Sequence, residues 1–172
     1  MGKSANLYII GFMGTGKTSA GQLVAQWMGL EFVDMDTLIV EREKRSIPEI
    51  FRDSGEPYFR EVEKGIVAEM AKKTGLAVSC GGGTFVDPVN IDLMKKTGIV
   101  VCLTSRPETI LERTRRYTQR PLLRVADPLA RIKELLEARR PSYAQAHLTI
   151  DADRLTVEGT AQAIVEAVKN HG

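Results

Sequence analysis

The chain is poor in the residues that build several common kinds of site. Of its 172 residues only two are histidines, His147 and His171, which argues against a His-based metal centre. Its two cysteines, Cys80 and Cys102, have no C-x-x-C partner and sit in or beside apolar stretches. They read as small buried hydrophobes, a usage that fits a reducing cytoplasm. Aromatic residues make up 6% of the chain, too few for a base-stacking nucleic-acid surface. Net charge is +2, so no whole-molecule field draws the protein to nucleic acid or to an anionic membrane. No apolar run approaches the length that spans a bilayer. The first apolar strand starts within a few residues of Met1, and no signal peptide is expected. Linkers, repeats and low-complexity stretches are missing too. A single cytoplasmic domain of ordinary globular composition is expected. The mixed surface charge shows no apolar seam, and a monomer is expected.

What is present is an alternation of short apolar runs with longer helical patterns. Strands are expected at 7–10, 31–34, 77–79, 99–103 and 148–150. They are apolar throughout rather than alternating, as for strands covered on both faces. Helices are expected at 17–28, from a capping box Ser46-Ile47-Pro48-Glu49 through Phe51, at 57–72, at 127–139, and around Ala161, Ile164, Val165 and Val168. Leu23, Val24 and Trp27 form the apolar stripe of the first helix, and Met13, Met35 and Trp27 are expected in the core or a pocket wall. This order gives an α/β fold with a parallel sheet between helical layers. Ligands of such sheets gather at the carboxyl ends of the strands. Residues just after each strand are therefore expected to share one cleft.

After the first strand comes Gly11-Phe12-Met13-Gly14-Thr15-Gly16-Lys17-Thr18. It meets G-x-x-x-x-G-K-[ST] at every fixed position, with a strand before it and a helix after it. Such a turn aims backbone N–H groups at a phosphate, Lys17 reaches the β- and γ-phosphates, and the Thr18 hydroxyl ligates Mg²⁺. After the second strand comes Asp34-Met35-Asp36. At extended spacing the two carboxylates share one side. One can hold Mg²⁺ and the other can accept a proton from a hydroxyl, but Asp36 reads equally well as a helix N-cap. After the third strand, Ser79-Cys80-Gly81-Gly82-Gly83 offers either a close-approach backbone or merely a permissive turn. Arg60 pairs with Glu56 or Glu63 at helical spacing. Arg139 complements a helix C-terminus. The stretch from 113 to about 125 carries five arginines and Pro121. It reads as a closing loop over a phosphoryl-transfer site.

Taken together, these motifs resemble the shikimate kinase family over nearly the whole chain. The resemblance rests on the phosphate loop and on Phe32-Val33-Asp34-Met35-Asp36. It continues through Ile47-Pro48-Glu49-Ile50-Phe51, Gly55-Glu56-Pro57-Tyr58-Phe59-Arg60-Glu61-Val62-Glu63 and Gly81-Gly82-Gly83. It ends with Arg120-Pro121-Leu122-Leu123 and Arg139-Arg140-Pro141-Ser142-Tyr143. It implies a three-layer P-loop NTPase fold with a five-stranded parallel sheet, a substrate-binding helical region at about 34–61 and a lid at about 113–125. It implies MgATP-dependent phosphorylation of the 3-hydroxyl of shikimate, in chorismate and aromatic amino-acid biosynthesis. Carried over by motif, Lys17, Asp36 and Arg120 are catalytic, Asp36 being the base and Arg120 the lid arginine on the transferring phosphate. Gly14, Thr15, Gly16, Lys17, Thr18, Ser19, Arg113, Arg120 and Arg154 bind the nucleotide, with Arg113 and Arg154 flanking the adenine. Asp36, Arg60, Gly81, Gly82, Gly83 and Arg139 bind shikimate. Thr18 and Asp34 serve the metal. Ile150-Asp151-Ala152 matches the family's adenine loop, with Val157 at the usual proline position. Arg139 rather than Arg140 is chosen by its spacing to Pro141 and Tyr143. A gluconate kinase, a nucleoside-monophosphate kinase and a nucleotide-dependent binding module are the competing readings.

Overall fold

The computed structural model describes residues 5–115 and 124–172. Five parallel strands form one sheet in the order β2-β3-β1-β4-β5. They are β1 (Asn6–Gly11), β2 (Glu31–Asp34), β3 (Leu76–Ser79), β4 (Gly98–Thr104) and β5 (Leu148–Asp151). The helices among the described residues are α1 (Lys17–Met28), α2 (Met35–Glu43), α3 (Ile47–Met70), α4 (Pro88–Thr97), α5 (Pro107–Thr114), α6 (Pro128–Tyr143) and α7 (Val157–His171). The α/β architecture is the expected one. From central β1 the chain runs to one edge and back through β3, then crosses to β4 and β5. Such a reversal opens a crevice at the carboxyl ends of the strands.

Period-two alternation along β1 sorts its side chains between two cores. Tyr8 and Ile10 join Val78, Cys80, Val100 and Cys102 beneath α2, α3 and α4, while Leu7 and Ile9 join Val101 and Leu103 beneath α1 and α7. Phe12 and Met13 of the phosphate loop pack in a third cluster with Ile110 of α5 and Ile132 of α6. The three inner strands are covered on both faces, as expected. The edge strands β2 and β5 are only half covered. Cys80 and Cys102 are buried and unbridged, as read from the sequence.

Several local expectations change. The helices expected on either side of Gly55 form one run, α3, kinked where Gly55 takes φ 83° and Pro57 follows. Only a residue without Cβ tolerates that turn, and proline cannot donate to the preceding turn. The Ser46–Glu49 capping box is present, with both reciprocal bonds made. Trp27 is not core: it is 49% exposed, because α1 packs through the small stripe Ala20, Gly21, Val24 and Ala25. Met13 and Met35 are buried as expected.

At the opposite end from the crevice, Asn6 is 1% exposed and ties β1 to the α3–β3 connection. Its amide donates to Tyr8 Oη (3.1 Å), Met70 O (3.0 Å) and Lys73 O (3.0 Å), and its carbonyl accepts from Leu76 N (3.1 Å). Asn6→Ala strands several of these groups in the core. We expect it to lower unfolding free energy by about 2–4 kcal/mol, the scale of a few unpaired buried groups. Urea denaturation checks this, and a loss below about 0.5 kcal/mol, the level of a surface change, would contradict it.

Candidate active site

A cavity of about 940 Å³ opens at the carboxyl ends of the strands. That volume suits a nucleotide with a small co-substrate. The residues following β1, β2, β3 and β5 all contribute to its wall, together with one face of α5. The expected shared cleft is therefore found for four of the five strands; the residues just after β4 are not on its wall.

The phosphate loop forms its floor. Gly11, Gly14 and Gly16 take φ of 142°, 79° and 91°. Gly16 is the N-cap of α1, and no side chain caps that helix start, so its leading N–H groups face the cavity as an anion site. Lys17 Nζ is folded over the loop, donating to Gly11 O (2.8 Å) and Phe12 O (3.0 Å). Thr15 is buried, its hydroxyl donating to Phe12 O (2.7 Å), and Ser19 lies on the cavity wall. Arg113 sits in the last turn of α5 rather than in a loop, and its Nη1 donates to Gly14 O (3.1 Å). Most of the expected lid, 116–123 with Arg120, lies outside the described residues.

Thr18 Oγ1 donates to Asp34 Oδ2 at 2.8 Å and lies 3.1 Å from Ser79 Oγ. These are hard oxygen donors beside the phosphate site. They fit Mg²⁺, which keeps waters and shares phosphate oxygens instead of filling an all-protein cage. Asp34 is also the N-cap of α2, accepting from Thr37 N (3.0 Å). This corrects two readings. The Asp34–Asp36 spacing is not extended, since the strand ends at Asp34 and Asp36 is in the first helical turn. Asp36 is not the cap. Both carboxylates nonetheless line the cavity.

A second polar cluster adjoins the cavity at Gly81–Gly83. Arg60 donates to Glu63 Oε1 (3.0 Å) and Glu56 Oε1 (3.1 Å), so both pairings read from helical spacing are made. A Cβ on Gly83 would lie 2.6 Å from both terminal nitrogens of Arg60, so only glycine lets that guanidinium lie flat on the turn. Burial works against the Arg60 charge, but Glu63 and Glu56 outweigh it and raise its pKa. Glu63 is 1% exposed, and burial pushes its carboxyl up while Arg60 and the Thr84 hydroxyl (2.7 Å) pull it down.

Arg139 reaches the same turn from α6. It is 6% exposed, its guanidinium carbon lies 5.1 Å over the Phe12 ring, and its Nη1 has no hydrogen-bond partner among the described residues. A Cβ on Gly82 would lie 3.0 Å from that nitrogen. Arg140 points elsewhere, exposed and paired with Glu137 at 2.9 Å. Of the two arginines, Arg139 is therefore the one beside the glycine turn. Arg154, in contrast, is exposed and off the cavity wall, although Asp153 and Leu155 on either side of it are on the wall.

A family model described as shikimate kinase matches residues 13–169. The chain belongs to the shikimate kinase family. A shikimate kinase from Thermus thermophilus is 46% identical over 164 residues, covering 95% of this chain and 89% of the relative. One from Caldanaerobacter subterraneus is 41% identical over 162 residues, covering 94% and 95%. A shikimate kinase from Acinetobacter baumannii, solved in complex with shikimate, superposes with a TM-score of 0.94 at 36% identity, covering 97% of this chain and 94% of that one. The sheet, helices and phosphate loop are those of the P-loop fold shared by the shikimate kinase family.

Sequence reasoning missed some groups at this site. Tyr143, one turn after Arg139, donates its hydroxyl to Gly82 O. Asp153 clamps the β5–α7 connection to the start of α5, accepting from Arg106 N (3.0 Å) and Nε (2.8 Å). The Thr109 hydroxyl and those Arg106 bonds hold its carboxyl down at about 2. The i,i+4 step from Arg139 to Tyr143 was the available signal for the first. Nothing local in the sequence pairs Asp153 with a residue 47 positions away.

Proposed function

We infer that this chain is an ATP-dependent shikimate kinase, transferring the γ-phosphoryl group of ATP to the 3-hydroxyl of shikimate with release of ADP. The reaction is a step of chorismate and aromatic amino-acid biosynthesis. One observation carries the acid site: a buried guanidinium nitrogen of Arg139 without a partner among the described residues, beside the turn that Arg60 also covers. A buried unpaired donor of this kind is costly unless a ligand completes it. A carboxylate does so with charge-assisted bonds.

The placements of the described residues support the following roles. The N–H groups of Gly14, Thr15, Gly16 and Lys17 and the start of α1 hold the phosphates, with Thr18 and Ser19 beside them. Lys17 swings from its carbonyl contacts to the β- and γ-phosphates. Thr18 and Asp34 are the protein's ligands for Mg²⁺, which when bound neutralises charge on the phosphate oxygens. Arg113, tied to the loop, flanks the nucleotide, and Arg154 does so only from outside the wall. Arg60, Arg139 and the Gly81–Gly83 turn orient the acid so that its hydroxyl meets Asp36. Asp36 accepts the hydroxyl proton, and Arg120 stabilises the transferring group. Phosphoryl transfer needs little covalent help, so positioning and charge carry it. The region at about 34–61 is the acid-binding part and that at about 113–125 the lid. The protein is proposed to act as a monomer in the cytoplasm.

A coupled assay of ADP release against shikimate, gluconate, AMP and CMP tests this reading. Release is expected with shikimate alone. Preferential turnover of gluconate or of a nucleotide would overturn it.

A further inference from the structure

We propose that the Tyr143 hydroxyl is a positioning group that holds the Gly82 carbonyl away from Arg139, keeping that guanidinium open for the substrate's carboxylate. The inference rests on the acid-site reading above. Arg139 and Tyr143 are one helical turn apart on α6 and both meet the same glycine. Arg139 Nη1 is buried and unpaired among the described residues, so it takes the nearest acceptor that becomes available. Gly82 is within contact distance, since a Cβ on it would lie 3.0 Å from that nitrogen. Its carbonyl is instead occupied by Tyr143, and the Gly81 carbonyl by Thr84 N (3.1 Å). These two acceptors of the turn are thereby engaged and compete less with an incoming carboxylate. A peptide unit is planar and trans, so fixing the Gly82 carbonyl also fixes the direction of the Gly83 N–H. Glycine at 82 has no side chain to resist a peptide flip, so the hydroxyl supplies the restraint. Burial pushes the Tyr143 hydroxyl up to about 12, against the pull of the neighbouring Arg139 guanidinium, which also reaches this hydroxyl.

The test is a double-mutant cycle on the full chain, read as separate Michaelis constants. Tyr143→Phe is expected to raise the KM for shikimate about tenfold, with kcat and the KM for ATP within about twofold of wild type. In an Arg139→Ala background the same change is expected to move the KM for shikimate less than about twofold, because the group it protects is gone. An unchanged KM in the single variant, an equal rise in both backgrounds, or a matching loss in kcat and ATP binding would each overturn the proposal. Should Tyr143→Phe fail to fold, 3-fluorotyrosine at this position keeps the hydroxyl and strengthens its donation. A KM for shikimate no higher than wild type is then expected, and a clear rise would overturn it. Failure of the wild-type protein to turn over shikimate would sink the acid-site reading itself, a result separable from all of these.

Discussion

Asp36→Asn is expected to leave ATP binding intact and to lower turnover of shikimate at least about a hundredfold, the scale of lost general-base help. The amide keeps the shape and can still hydrogen-bond the acceptor hydroxyl, but it cannot take the proton. The structure separates this from a folding effect. Asp34, not Asp36, caps α2 through Thr37 N, so the helix keeps its cap in the variant. A lowered kcat with an unchanged KM for ATP and an unchanged melting temperature is the expected pattern. Near-normal turnover would mean that Asp36 only helps to bind the hydroxyls.

Arg139→Ala is expected to weaken shikimate binding by about 2–4 kcal/mol, the range for one partner of a buried charged pair. This corresponds to a rise of about thirtyfold to a thousandfold in the KM for shikimate. Arg140→Ala is the built-in control. That residue is exposed and paired with Glu137, so its loss is expected to cost little. An unchanged KM in the first variant, or equal effects of the two, would contradict the placement of the acid.

Much of this site was legible because its chemistry is local. The phosphate loop, the capping box and the Arg60 pairings are set by residues within a few positions of one another, and all are found as read. The alternation of apolar runs and helical patterns yielded the parallel sheet, and with it the cleft. What was not legible depends on distant partners or on packing. The Asp34–Asp36 pair was read at strand spacing because no local signal says that the strand ends at Asp34 itself. Trp27 falls outside the core because α1 meets the sheet through small residues, and periodicity alone does not weigh a small stripe above a bulky one. Helices α4 and α5 went unread. They are short, and α5 ends in the arginine-rich stretch, where no apolar stripe marks Arg113 as helical. The Asp153 clamp and the Tyr143 hydroxyl act across 47 and 61 positions, where only the fold brings them together.

The most direct measurement is a crystal structure of the protein with shikimate and a non-hydrolysable ATP analogue. The account predicts the acid group lodged between the guanidinium groups of Arg60 and Arg139. It also predicts the 3-hydroxyl on Asp36, in line with the terminal phosphorus above Lys17. Either guanidinium turned out to solvent, or that hydroxyl directed away from the nucleotide, would contradict it.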